Sequence, residues 1–113
     1  MNIEQLRDYC LLKPNVTEST PFDEHTLVFK VYDKMFALTN MEGPLLINLK
    51  CEPNKALVLR DRYDCVEPGY HMNKKHWNTI YINGTLPDSL LHEWIDDSYK
   101  LVLSTLPKNK QNP

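Results

Sequence analysis

A chain of 113 residues, 42% of them hydrophobic, has the size and apolar content of a single domain that needs no disulfide or metal to offset its chain entropy. Its 13 basic and 15 acidic residues leave a net charge of -2, so it lacks the strong positive field of a typical non-specific duplex binder. No apolar run reaches the roughly 20 residues of a membrane helix, and Met1 to Arg7 offers neither a basic start nor an apolar signal core, so a cytoplasmic protein with no membrane association is expected.

In chain order, Asn2 followed by Gln5 forms a capping-box pattern, and Ile3, Leu6 and Cys10 recur at helical spacing up to Pro14, which ends a first helix. Residues 15 to 26, rich in Asn, Thr, Ser, Pro and Asp, read as a loop. From Leu27 the period becomes two: Leu27, Phe29 and Val31 share one face of a strand, and Val28, Lys30 and Tyr32 the other. Asp33 and Lys34 turn the chain into a second strand, Met35 to Asn40, and the break at Glu42, Gly43 and Pro44 leads to a third, Leu45 to Lys50.

Pro53 suits the first turn of a helix running to Tyr63, with Ala56, Leu59 and Tyr63 on one side. Pro68 and Gly69 make any strand at residues 66 to 72 bent or peripheral, whereas Trp77 to Ile82 reads as a firmer strand closed by Asn83 and Gly84. A long final helix starts near Pro87 and Asp88, carries a buried stripe of Leu91, Trp94, Ile95, Ser98 and Val102, and stops at Pro107. The expectation is one α+β domain over residues 1–107 with element order α-β-β-β-α-β-β-α, two layers, an antiparallel sheet with its helices on one face, and a short frayed polar tail at 108–113.

With helices covering one sheet face, the opposite face is where a partner would bind. If the more apolar set packs inward, that face carries Lys30, Tyr32, Asn48, Lys50, Trp77, Thr79 and Tyr81, with Ile80 and Ile82 inside; a slip of one register would reverse the assignment.

Charge is uneven along the chain. Residues 50 to 81 hold six cations against four anions, while both flanks are acidic, so an anion site belongs in the middle third. There lies PGYHMNKKHWNTIYING, residues 68 to 84, which packs two histidines, two lysines, three aromatics and three asparagines around one turn and one strand. This run resembles the MmcQ/YjbR family of small bacterial proteins, whose members share a PGYHMNK-HWNT signature. The opening helix with Arg7, Tyr9 and Cys10, PFDEHTLVFKV at 21–31, NLKCEP at 48–53 and DDSYKLVLSTLPK at 96–108 are also similar to the family. The resemblance implies a fold like that of the bacterial frataxin CyaY or of type III secretion chaperones, and a DNA-binding role.

For that role, Lys74 and Lys75 are candidates to neutralise phosphates, Tyr70, Trp77 and Tyr81 to stack on bases, and Lys30, Lys50, Arg60, Arg62, His71, Asn73 and His76 to complete the surface. The net charge makes such binding weak and salt-sensitive. The alternative is a protein-interaction module using Tyr32, Trp77 and Tyr81 as anchors. Neither reading involves catalysis or a cofactor, and both suit a monomer or weak dimer.

Other chemistry finds less support. Cys10, Cys51 and Cys65 are odd in number and lack CxxC spacing, so they read as buried thiols, and His71, His76 and Cys65 match no zinc spacing. His71 with Cys65 or Tyr70 is the nearest catalytic grouping, but a histidine beside an aromatic in a turn more often braces the loop. Asn73 and Asn78 read equally well as turn-holding side chains. Iron binding on the frataxin pattern would require an acidic first helix, and here that helix has only Glu4 and Asp8.

Overall fold

The computed structural model describes residues 1–70 and 72–111. Helix α1 (Ile3–Leu11) begins with the expected reciprocal cap: the Gln5 N–H donates to Asn2 Oδ1 at 2.8 Å and the Asn2 N–H to Gln5 Oε1 at 3.0 Å. The chain then forms β1 (Val16–Ser19), β2 (Thr26–Val31), β3 (Lys34–Asn40) and β4 (Leu46–Lys50), crosses through α2 (Pro53–Arg62), and returns as β5 (Val66–Pro68) and β6 (Trp77–Tyr81). Helix α3 (Asp88–Leu103) and a single turn, α4 (Lys108–Gln111), complete it. All six strands pair antiparallel in the order β1-β2-β3-β4-β6-β5.

The α+β class and the helices on one face are as expected, but two elements are additions. Strand β1 lies where a loop was expected, because an edge strand that alternates between half-buried and exposed positions needs no apolar stripe; only Val16 is apolar in it. The tail is also structured as far as Gln111. Its Nε2 donates to the Leu106 carbonyl at 2.6 Å, and Lys110 Nζ sits 5.3 Å from the centre of the Tyr32 ring.

The β2–β3 turn falls on Tyr32 and Asp33, one residue earlier than expected, and both have positive φ (46° and 68°). Consecutive left-handed residues match the twist of a tight hairpin. A bulge follows, since Phe29 pairs with Ala37 but Lys30 with Met35; the extra residue, Phe36, reaches the main core together with Ala37.

The core lies between the sheet and the helices. Leu27, Phe29, Val31, Ile47, Leu49 and Ile80 meet Leu6 and Cys10 of α1, Ala56 and Leu59 of α2, and the α3 stripe of Leu91, Trp94, Ile95 and Val102. Ser98 pins α3 to the sheet at a buried polar point. Its hydroxyl donates to the Phe36 carbonyl at 2.5 Å and accepts the Lys50 N–H at 2.9 Å. Helix α2 starts at Glu52, whose carboxylate accepts the Asn54 and Lys55 N–H groups at 3.0 Å, and these bonds hold its pKa below the usual glutamate range.

Candidate functional site

The sheet face away from the helices is organised by one cross-strand row: Ser19, Val28, Leu38, Asn48, Thr79 and Glu67 stand opposite one another from β1 to β5. Val28 and Leu38 form a second, smaller core there with Trp77, joined by Met35 and Met72. This face is therefore partly roofed. The roof is made by Gly69, Tyr70 and Met72 to His76 of the signature segment, folded back after β5.

Local bonding explains the fold of that segment. The Gly69 N–H donates to the Trp77 carbonyl at 2.8 Å, and a Cβ on Gly69 would lie 2.8 Å from the Trp77 Cβ and 3.0 Å from that of Met72. Only glycine allows so close an approach. Asn73 then closes the turn: its side-chain oxygen accepts the Lys75 N–H at 2.9 Å, and its carbonyl accepts those of His76 and Trp77 at 3.2 and 3.0 Å. The His76 carbonyl in turn takes the Cys51 N–H at 2.8 Å, tying the turn to the end of β4.

The roof leaves a groove of about 690 Å³ between the loop and the sheet, lined chiefly by Phe22, Met35, Leu38, Leu46, Tyr70 and Met72, with Asn48 and Asn73 among its polar groups. Phe22 and Tyr70 are 64% and 70% exposed. A concavity of this size, apolar with a few polar groups, is the ordinary form of a site for a small organic moiety.

The residues expected to bind divide sharply. Lys74, Lys75, Asn73 and Tyr70 are exposed on the loop, and Lys30 and Lys50 are half-buried on the groove side of the sheet. Trp77 lies on the expected face but is only 9% exposed, because its own loop and Met72 cover it. It anchors the second core and presents no ring to solvent.

Arg60 is committed to the fold. Its Nε donates to Asn78 Oδ1 at 2.7 Å, and Nη2 reaches the Trp77 carbonyl at 3.2 Å and the Lys74 carbonyl as well. His76, half-buried, engages the loop through its backbone. Arg62 and Tyr81 belong elsewhere, to a groove of about 610 Å³ beside Tyr63 and Leu90. Tyr81 and Tyr32 pack against the main core, Tyr32 because the turn and bulge carry it there. His71 lies outside the described residues.

Phe22, Met35 and Leu38 were not identifiable as site residues from sequence. Nothing in a lone apolar residue signals that a loop ten or more positions away will fold over it.

The three cysteines are buried, and burial pushes the Cys10 thiol up to about 12 and raises Cys51 as well, which makes both poor nucleophiles. Among the described residues no three His, Cys, Asp or Glu side chains converge as metal ligands, and no helix is long and apolar enough to cross a membrane.

The sequence profile of the YjbR family matches residues 11–101. The chain belongs to the YjbR family. Uncharacterized protein YjbR of Escherichia coli K12 is 37% identical over 112 residues, 98% of this chain and 95% of that protein. Uncharacterized protein YbdF of Escherichia coli O157:H7 is 38% identical over 109 residues, covering 96% and 89%. Among solved structures, Deinococcus radiodurans protein DR2400 superposes with a TM-score of 0.92 at 40% identity, over 98% of this chain and 86% of that one. A Pseudomonas syringae protein does so at 0.79 and 31% identity, over 90% and 99%. The fold thus holds across these two solved structures.

Proposed function

We propose that this YjbR domain is a non-catalytic binding module that holds single-stranded DNA at the loop-roofed groove. The observation that carries the reading is the placement of two exposed aromatics, Phe22 and Tyr70, at a groove whose roof also bears the exposed Lys74 and Lys75. Stacking on an exposed ring is worth about 1–3 kcal/mol per base, and each lysine supplies one phosphate contact. An unpaired strand suits the groove better than a duplex, since a stacked base cannot enter a concavity. Few cations flank the site, so binding is weak and salt-sensitive. The module needs no cofactor, acts in the cytoplasm, and is a monomer or weak dimer.

A second reading has one observation in its favour. Phe22 and Tyr70 are both exposed at the groove, with Met35, Leu38 and Met72 beside them, and apolar side chains around a groove also suit an extended protein segment.

Fluorescence anisotropy with labelled single- and double-stranded DNA across about 50 to 200 mM salt separates the two. The DNA reading expects single-strand binding that weakens with salt, falls about tenfold or more in Tyr70→Ala, and loses about one unit of salt slope per lysine in Lys74→Ala and Lys75→Ala. Absence of binding at low salt would turn the assignment to the protein segment, whose capture should survive removal of both lysines.

A further inference from the structure

Resting on the DNA-binding reading, we infer that the groove selects thymine among the DNA bases, because the two side-chain amides that line it with their oxygens already bonded, Asn48 and Asn73, present donors. A directed chain of hydrogen bonds crosses the sheet. The Tyr70 N–H donates to Thr79 Oγ1 at 3.0 Å, and Thr79 gives its single hydroxyl hydrogen to Asn48 Oδ1 at 2.5 Å. Thr79 is 1% exposed, so water does not compete for that hydrogen.

The chain fixes which end of the Asn48 amide is occupied. Its carbonyl oxygen is bound, and its NH2 group has no hydrogen-bond acceptor among the described residues although the side chain lines the groove. Asn73 repeats the pattern at the roof: its oxygen accepts the Lys75 N–H, and its NH2 likewise has no acceptor among the described residues.

The other polar residues of the groove are already engaged. Asn40 donates to the Glu42 and Pro44 carbonyls and accepts the Leu46 N–H, and the Thr39 hydroxyl donates to the Leu46 carbonyl. Asp23, beside Phe22, accepts the backbone N–H groups of His25 and Thr26 at Oδ1 and the Thr26 hydroxyl at Oδ2, the latter at 3.3 Å.

A ligand that fits must bring acceptors on a flat apolar frame. Adenine and cytosine each carry an exocyclic amine, as does guanine, and burying that donor against amide NH2 groups leaves it unpaired. Thymine carries no amine, and its ring N3–H is the one donor it brings, fewer than any other DNA base. It presents carbonyl oxygens to the two amides and a methyl group to Met35, Leu38 and Met72.

The test compares short oligo-thymidine with oligo-deoxyadenosine by anisotropy for the unmodified domain, Asn48→Leu and Thr79→Val, with circular dichroism to confirm folding. Oligo-thymidine should bind about tenfold tighter, the worth of one good base contact, and both variants should bring it down to the oligo-deoxyadenosine level. A proton–nitrogen correlation spectrum of the unmodified domain needs no variant: thymidine should move the Asn48 side-chain amide pair and adenosine should not. Equal binding of the two oligomers, or a preference that survives in the variants, overturns the thymine inference and leaves DNA binding standing. No binding of either oligomer removes the DNA-binding reading itself, and this inference with it.

Discussion

Arg60 and Asn78 form a bonded pair between α2 and β6, with Arg60 Nε donating to Asn78 Oδ1 at 2.7 Å while Asn78, 1% exposed, donates onward to the Ala56 carbonyl at 3.4 Å. The same guanidinium reaches the carbonyls of Lys74 and Trp77, so one side chain holds helix, strand and loop together.

Truncation of this clamp should therefore act on stability. Arg60→Met leaves the Asn78 oxygen buried without its donor, a loss of about 1.5–3 kcal/mol for a bond to a charged group. Urea denaturation measures it, and faster exchange of the Trp77 amide should accompany it. Unchanged stability together with weakened DNA binding would instead make Arg60 a surface contact.

Gly69 should tolerate no side chain. Gly69→Ala puts a methyl group 2.8 Å from the Trp77 Cβ and against the Trp77 carbonyl at 3.0 Å, and neither a Cβ nor a backbone oxygen moves cheaply. Overpacking of this kind costs about 1–3 kcal/mol, read as a lowered Tm. Gly84→Ala is a useful contrast: it meets nothing within 4 Å, and its strain comes from a φ of +85° alone.

Acid stability should depend in part on the α1–α3 contact. Tyr9 stacks on His92 with ring centres 3.8 Å apart, its hydroxyl donates to Asp96 Oδ1 at 2.8 Å, and Lys13 pairs with the same carboxylate. Burial, then the bond to Asp96, push the Tyr9 hydroxyl up to about 12. Burial alone would raise Asp96, but the bonds from Lys13 and Tyr9 outweigh it and hold the carboxyl below the usual aspartate range. A carboxyl lowered on folding contributes stability that is complete above its unfolded pKa, about 3.9, and is lost as pH falls through the folded value. Asp96→Asn should thus destabilise the domain at neutral pH and flatten that part of its stability profile below about pH 4, measured by urea unfolding across pH. An unchanged acid limb would place the acid sensitivity in other carboxylates.

Much of this architecture was legible along the chain. Period-two runs marked β2, β4 and β6, the Asn2–Gln5 pair and Pro53 marked helix starts, and the Leu91–Val102 stripe marked the helix that closes the core. These signals are local, because a strand or helix with one buried face must repeat its apolar residues at its own period. Strand β1 escaped notice because its pairing with β2 is made by backbone groups, which any sequence possesses.

The candidate site was legible only as a segment. Residue types within 68–84 and the two arginines of α2 pointed to a working loop, and the fold then sorted them by packing: Trp77 went beneath the loop, Arg60 into its brace, Arg62 and Tyr81 to another groove, and Lys74, Lys75 and Tyr70 to the outside. The sequence by itself determined the family, the element types and the chemistry gathered in the signature. Tertiary structure alone decided which of those groups face a ligand, because exposure depends on what another part of the chain places on top of a side chain, as Gly69 and Met72 do for Trp77.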